Sequence, residues 1–243
     1  MTTSPSSGTG TAPDPPDFDA MAHLFAAFTE VWDGIDRGAF SAWVGRQLGA
    51  GGRAADLGCG AGRHLPLLAE RYDTVLAVDV SRAILGLAVR RHAQPGITFR
   101  RADLLDLDPA WDGTFDAVLA VNALHHAGPA EVVLPRVRDL VAPGGVLVAV
   151  DMVDPGDWTS PGWHVDRAFA DARAAWELTG DADQATAVLR QLLDPGWLAM
   201  GLRDTPLRRE EFHAAYRAVL PGASFADGLH PLMCGATWRR PAS

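Results

Sequence analysis

Lysine is missing from this sequence altogether: all 21 basic side chains are arginines, set against 30 acidic residues for a formal net charge of −9. Without lysine there is no P-loop, whose Gly-Lys-Ser/Thr end grips phosphate through an ammonium group. An acidic balance repels phosphate backbones unless the arginines gather on one face, so no nucleic-acid partner is expected. Cysteine is almost as scarce, with only Cys59 and Cys234, which offers neither a disulfide framework nor a Cys-rich metal site and suits a reducing compartment. No apolar run reaches the roughly 20 residues of a membrane-spanning helix, and residues 1–16 lack the basic start and apolar centre of a secretory signal. The expectation is a cytoplasmic protein with no membrane partner; its oligomeric state is not legible.

What is present is apolar and periodic. The 243 residues are 48% hydrophobic, enough for one substantial α/β core. Residues 1–16 are rich in Ser, Thr, Pro and Gly, cannot repay the entropy of ordering, and read as a disordered tail. From Asp17 to Leu48 the pattern is helical: Met21, Leu24, Phe25, Phe28 and Trp32 share a face, Gly34 interrupts, and Phe40, Trp43, Val44 and Leu48 share the next. Apolar strands then alternate with helices. Strands are expected at 54–57, 74–78, 97–101, 115–121 and 146–151, and helices at 65–71, 82–92 and 131–141. Short all-apolar strands between helices predict a parallel sheet covered on both faces. Pro135 is expected to kink the last of these helices or end its first segment. Residues 152–206 hold helical pieces and Trp158, Trp163, Trp176 and Trp197, but no strand. A helix at 210–220 and extended runs at 224–229 and 232–239 close the chain as an antiparallel hairpin on the sheet edge.

The first strand-to-helix turn carries the most chemical information. Its glycines, Gly58, Gly60 and Gly62, are spaced G-x-G-x-G, whereas a dinucleotide pyrophosphate calls for G-x-G-x-x-G and would need glycine where Arg63 stands. The loop therefore lets backbone approach a ligand without a diphosphate. Asp56 before it suits a cationic group. Asp79, ending the second strand, suits the hydroxyls of an unphosphorylated ribose. Asp103, after the third, suits an exocyclic amine. Amine or sulfonium, diol and adenine together point to S-adenosylmethionine.

The ordered stretches "DLGCGAG", "VLAVD", "RRADLLDL" and "FDAVLAVNALHH", followed by "LVAPGGVLVAVD", resemble a class I S-adenosylmethionine-dependent methyltransferase, most closely the small-molecule enzymes of natural-product and sugar pathways. The resemblance implies a Rossmann-like, doubly wound seven-stranded sheet, mostly parallel with an antiparallel last strand. It implies a methyltransferase domain over 49–243 with a helical lid inserted at about 152–206, and N-terminal helices over 17–48 that help cover the active site. The cofactor-binding set it implies is Asp56, Gly58, Cys59, Gly60, Gly62, Asp79, Val80, Asp103, Leu104, Val121 and Asn122.

The fourth and fifth strands are neighbours in such sheets, so His125 after one meets Asp151 at the end of the other. A carboxylate accepting an imidazole N–H fixes the tautomer and raises basicity, giving a general base for a hydroxyl. His126 is the alternative base. The same residues also have a structural reading: a histidine packed above the methionine moiety and a strand-end cap. His164, beside Trp163, is a third candidate base or part of a packed lid; the four tryptophans are an apolar acceptor pocket or hold the lid down. Arg63, Arg100 and Arg101 read as surface residues or carboxylate partners. No metal ligand set is legible in the spacing. The expected reaction is methyl transfer to a hydroxyl of a small metabolite in secondary metabolism. N- or C-methylation, or a cofactor-bound scaffold or cyclase without methyl transfer, are the alternatives.

Overall fold

The alternation of apolar strands and amphipathic helices builds a single layered sheet. In the computed structural model, residues 18–22, 24, 31 and 39–242 are described. The expected tail at 1–16 and the first helix's Phe25, Phe28, Trp32 and Gly34 lie outside them. The described elements run α1 (Ala39–Gln47), β1 (Gly51–Leu57), α2 (Leu65–Ala69), β2 (Tyr72–Asp79), α3 (Arg82–His92), β3 (Ile97–Arg101), α4 (Pro109–Asp112), β4 (Phe115–Val121), α5 (Leu124–Ala127), α6 (Ala130–Leu140) and β5 (Val141–Met152). They continue with α7 (Pro161–Thr179), α8 (Ala182–Leu192), α9 (Pro195–Arg203), α10 (Arg209–Val219), β6 (Ser224–His230) and β7 (Met233–Arg239).

The strands form a seven-stranded sheet in the order β3-β2-β1-β4-β5-β7-β6. Every pairing among the first five is parallel, while β7 runs antiparallel to both β5 and β6. The terminal hairpin thus docks by its second strand, leaving β6 at the edge. Strand order reverses between β1 and β4, which opens a crevice above their carboxyl ends.

Alternate residues of β1, β4 and β5 feed different layers, as the period-2 pleat requires. Leu57, Val118, Ala120 and Leu147 pack under α6 and α10, whereas Ala54, Ala117, Leu119 and Val148 pack with Phe40, Val44, Leu65 and Leu85 of α1, α2 and α3. Capping fixes where helices start near the crevice. Ser81 Oγ accepts the Ile84 N–H at 3.1 Å at the start of α3, whose last turn carries Arg90, Arg91 and His92 against the helix dipole.

Two sequence expectations are corrected. Pro135 does not end a first helical segment, since α6 runs through it. The bond it forgoes would reach the carbonyl of exposed Glu131 in the first turn, while Val133, Leu134, Val137 and Leu140 bury a whole face. Strand β5 begins at Val141, because Val141 pairs with Phe115 across an irregularity in the ladder. Gly145 sits in that irregularity, where a Cβ would come within 2.9 to 3.0 Å of the carbonyl oxygens of Ala142, Phe115 and Asp116.

Past the end of β5 at Met152, residues 153–206 supply α7, α8 and α9 and, among described residues, no strand. Ala168, Ala172 and Ala175 form a small-residue stripe on α7 that lets Val188 and Leu192 of α8 approach closely, with Val31 in the same cluster. No described helix is long and apolar enough to cross a membrane.

Candidate active site

The loop after β1 takes its shape from positive φ at Gly58 (69°), Gly60 (54°) and Gly62 (90°), a region costly for side chains bearing a Cβ. The three serve different ends. A Cβ at Gly58 would lie 2.4 Å from the Ala123 Cβ, and one at Gly62 would lie 2.4 Å from His92 Cδ2, so both are packed from behind. At Gly60 nothing lies within 4 Å, so this glycine presents bare backbone to open space. Cys59 is buried, its N–H bonds the Val78 carbonyl at 2.9 Å, and burial pushes its thiol far up, which makes it a wall and not a nucleophile.

Asp79 at the end of β2 ties this loop to the next. Its Oδ2 accepts the Gly60 N–H at 2.9 Å and its Oδ1 the Ser81 N–H at 2.9 Å. Burial pushes its carboxyl above the ordinary range, against the downward pull of those N–H groups. Val80, 47% exposed, offers an apolar face beside it, and Arg101 Nε holds the Val80 carbonyl at 3.1 Å. Asp103 after β3 spends Oδ1 on the Leu105 N–H at 2.9 Å, and Leu104 is buried next to it.

Among the described residues, the buried polar atoms without a hydrogen-bond partner include two carboxylate or amide oxygens at the crevice. Asp56, 2% exposed, buries Oδ2 without a hydrogen bond, and burial, reinforced by the Asp79 charge, pushes its carboxyl up to about 7. Asn122, which follows Val121 of β4 with φ 51°, buries Oδ1 likewise. Orphaned buried acceptors are rare and costly. An acidic and an amide oxygen beside a bare glycine fit a bound ammonium or sulfonium. A buried carboxylate beside a bonded one on the neighbouring strand fits an amine-bearing ligand with a ribose. The residues present therefore suit S-adenosylmethionine.

The catalytic candidates stand at the next gap. His125 on α5 and Asp151 on β5 meet: ring Nδ1 bonds Asp151 Oδ1, and the His125 backbone N–H donates to Oδ2 at 2.9 Å. Burial alone would lower the His125 pKa, but the Asp151 carboxylate outweighs it and the net direction is up. His126 lies against His125 with ring centroids 3.8 Å apart, and its Nδ1 is 3.3 Å from Asp204 Oδ1. Burial and the neighbouring His125 charge lower its pKa. Two adjacent imidazoles are thereby driven in opposite directions.

Other expected residues sit elsewhere. His164 bonds the Trp158 carbonyl through Nε2 at 2.7 Å and stacks edge-on to Trp158 and Trp163, while Trp158 Nε1 donates to the Gly201 carbonyl at 2.7 Å. These contacts clasp α7 to α9. The four tryptophans do not gather into one pocket, since Trp176 is half-exposed and Trp197 packs with the α7–α8 cluster. Arg63 lies over Phe40, and Arg100 is bonded to Asp112. A surface cavity of about 340 Å³ bounded by Arg53, Thr74, Thr98, Arg100 and Trp111 opens toward the amino ends of the strands, away from all of this chemistry.

Three residues near the rim carry no sequence signal. Asp204 arrives just past α9. Phe18 meets the His126 ring edge-on at 5.3 Å, and Asp19 bonds Ser81 Oγ and accepts the Ala83 N–H at 2.9 Å. Their sites are set by how distant segments fold over the rim, so local pattern does not mark them. Helix α8 also buries Gln191 with neither amide atom bonded.

Similarity to known proteins agrees with this geometry. The family described as "Methyltransferase domain" matches residues 54–145, from β1 into β5. An uncharacterized methyltransferase of Mycobacterium tuberculosis is 31% identical over 186 residues, 76% of this chain and 86% of that protein. A trans-aconitate 2-methyltransferase of Acidovorax sp. is 34% identical over 195 residues, 73% of this chain and 68% of that protein. In fold, the chain is similar to the DhpI–SAM–HEP complex, with TM-score 0.58 at 22% identity over 95% of this chain and 100% of that one. It is also similar to human N-acetylserotonin methyltransferase in complex with SAM, with TM-score 0.57 at 16% identity over 95% of this chain and 60% of that one. The motif-bearing strands, the bare glycine loop and these relatives agree: the chain belongs to the class I S-adenosylmethionine-dependent methyltransferases.

Proposed function

We propose that this enzyme methylates a hydroxyl oxygen of a small-molecule acceptor, with His125 as general base and Asp151 as its positioning residue. The observation that carries the reading is the His125–Asp151 bond. With Nδ1–H donated to the carboxylate, the neutral ring keeps its lone pair on Nε2, the atom left to take a proton. When bound, S-adenosylmethionine supplies an electrophilic methyl group. Nε2 of His125 takes the acceptor's hydroxyl proton, and Asp151 stabilises the imidazolium that results.

For the cofactor we propose Asp56, Asn122 and the Gly58–Gly62 loop at the methionine end, with Cys59 and Val121 lining it. Asp79 and Val80 read the ribose, and Asp103 and Leu104 the adenine. We further propose that segment 17–48 and helices α7 to α9 cover the acceptor; the contacts of Phe18 and Asp204 with His126 support this. The "LHH" and strand-end Asp pattern favours an acceptor from secondary metabolism, and the near absence of cysteine favours the cytoplasm.

A second reading comes from the relatives named trans-aconitate 2-methyltransferase: a carboxylate oxygen as acceptor. A carboxylate is already deprotonated at neutral pH and needs no base. One experiment separates the two. The full chain is incubated with S-adenosylmethionine and a panel of phenols, sugars, amines and di- or tri-carboxylic acids, with product followed by mass spectrometry. Methyl ethers formed in wild type and lost in His125→Ala support the first reading. Methyl esters formed equally by both proteins refute it in favour of the second.

A further inference from the structure

Beyond the active site, His213 of α10, Asp227 of β6 and Cys234 of β7 converge. His213 Nε2 lies 3.0 Å from Asp227 Oδ1, Cys234 Sγ lies 3.1 Å from the same oxygen, and Sγ and Nε2 are 3.4 Å apart. The ladder explains the convergence. Cys234 faces inward opposite Asp151, and the register shift between Ala226 and His230 swings Asp227 back over it. His213 is held by the Phe225 ring at 4.2 Å. Sequence spacing shows none of this, because the three residues come from separate elements.

A nucleophilic triad does not fit. There the histidine stands between acid and thiol and takes the thiol proton. Here the carboxylate touches the thiol directly at 3.1 Å, and the imidazole does not stand between them.

We infer that His213, Asp227 and Cys234 form a mononuclear site for a zinc-class divalent cation, with a fourth position open to water. One thiolate, one imidazole and one carboxylate are ligands zinc takes in tetrahedral geometry. Bonds of about 2.3 Å to sulfur and about 2.0 Å to nitrogen and oxygen would set the three donors roughly 3.3 to 3.6 Å apart. The observed separations need to open by only a few tenths of an ångström. The buried thiol closes the inner side, and the carboxylate, 49% exposed, gives the ion its entry. On binding, the Cys234 S–H proton leaves to solvent and the sulfur–metal bond replaces it. Arg209 Nη1, 3.0 Å from Asp227 Oδ1, opposes the cation electrostatically. Its bonds to the Pro231 and Met233 carbonyls also fix the turn that presents the carboxylate. The site lies one strand from Asp151, outside the methyl-transfer chemistry.

The test uses Co²⁺ as a spectroscopic probe on chelator-treated full-length protein, followed by Zn²⁺ competition. One equivalent of Co²⁺ should give a thiolate-to-metal charge-transfer band and the visible absorption of a four-coordinate ion, both erased by Zn²⁺. Cys234→Ser should abolish the charge-transfer band, and Asp227→Asn, an isosteric change at a half-exposed position, should weaken binding by about tenfold or more. Cys59→Ser and His126→Ala should leave the spectrum unchanged. Absence of the thiolate band, or affinity unaltered in Asp227→Asn, overturns the site. Should Cys234→Ser not fold, the band in wild type and Asp227→Asn decides alone.

Discussion

Both oxygens of the Asp151 carboxylate are turned on His125: Oδ1 bonds the ring Nδ1, and Oδ2 accepts the residue's own backbone N–H at 2.9 Å. One side chain thus sets the position, tautomer and basicity of the imidazole. The His125→Ala variant is expected to lose about 100- to 10,000-fold in kcat, the usual contribution of a positioned base, with S-adenosylmethionine affinity little changed. Because the folded-state pKa is raised above the usual 6.5, the rate should climb with pH through that higher value. Asp151→Asn removes the raising charge and leaves burial, so the limb should move toward acid while the maximal rate falls. A pH–rate profile of the three proteins checks both statements, and an acidic limb unchanged in His125→Ala would remove His125 from the chemistry.

The second imidazole leans on the segment that follows α9. Asp204, just past α9, lies 3.3 Å from His126 Nδ1. A hydrogen bond to a carboxylate is worth roughly 1.5 to 3 kcal/mol net, and the 3.3 Å separation puts this one at the low end. Asp204→Ala should therefore raise the acceptor KM several-fold and speed amide exchange in α9, leaving cofactor affinity intact. Hydrogen exchange with and without acceptor provides the check; equal protection in wild type and variant would mean that the contact does not hold α9 in place.

Asp56 carries a stability cost that follows from its buried, unbonded oxygen. Its unfolded carboxyl ionises near 3.8, while the folded one keeps its proton up to about 7. A raised folded value stabilises fully below 3.8 and loses that advantage as pH rises through 7. Without cofactor, Asp56→Asn should melt higher than wild type at pH 8 and about the same at pH 3. The same variant should bind S-adenosylmethionine roughly 1.5 to 3 kcal/mol more weakly, the scale of a lost charged hydrogen bond. Thermal melts across pH and calorimetry at pH 7.5 test the two halves. A lower melting point at pH 8 would show that the carboxylate has a partner in the free protein.

Two glycines of the loop after β1 have opposite surroundings. Gly58→Ala would set its Cβ against the Ala123 Cβ at 2.4 Å with φ 69°, so it should destabilise by a few kcal/mol. Gly60→Ala meets nothing within 4 Å, so it bears only the backbone cost of φ 54° and should fold. Its methyl group would project where the loop is bare and should exclude the cofactor. Denaturation midpoints paired with binding isotherms distinguish the two; full cofactor binding by Gly60→Ala would place the ligand elsewhere.

The sequence by itself determined the layered sheet, since strand and helix periods are local and a parallel arrangement buried on both faces leaves runs such as "FDAVLAV" with no polar side. It placed β3, β4 and α3 on their observed boundaries and put Asp56, Asp79 and the three glycines at strand ends. Where a boundary depended on a partner, local pattern fell short: β5 starts at Val141 through pairing with Phe115, and α6 survives Pro135 because its buried face outweighs one hydrogen bond. Only the tertiary structure decided that Trp176 stands apart from Trp158 and Trp163, that Asp204 reaches His126, and that Asp19 bonds the helix start at Ser81 and Ala83. It alone gathers His213, Asp227 and Cys234. The reason is physical. Periodicity records what one element does with its own solvent and core, whereas the meeting of side chains from distant elements depends on crossing strands, bulges and helix packing, which leave no trace in the spacing of residues along the chain.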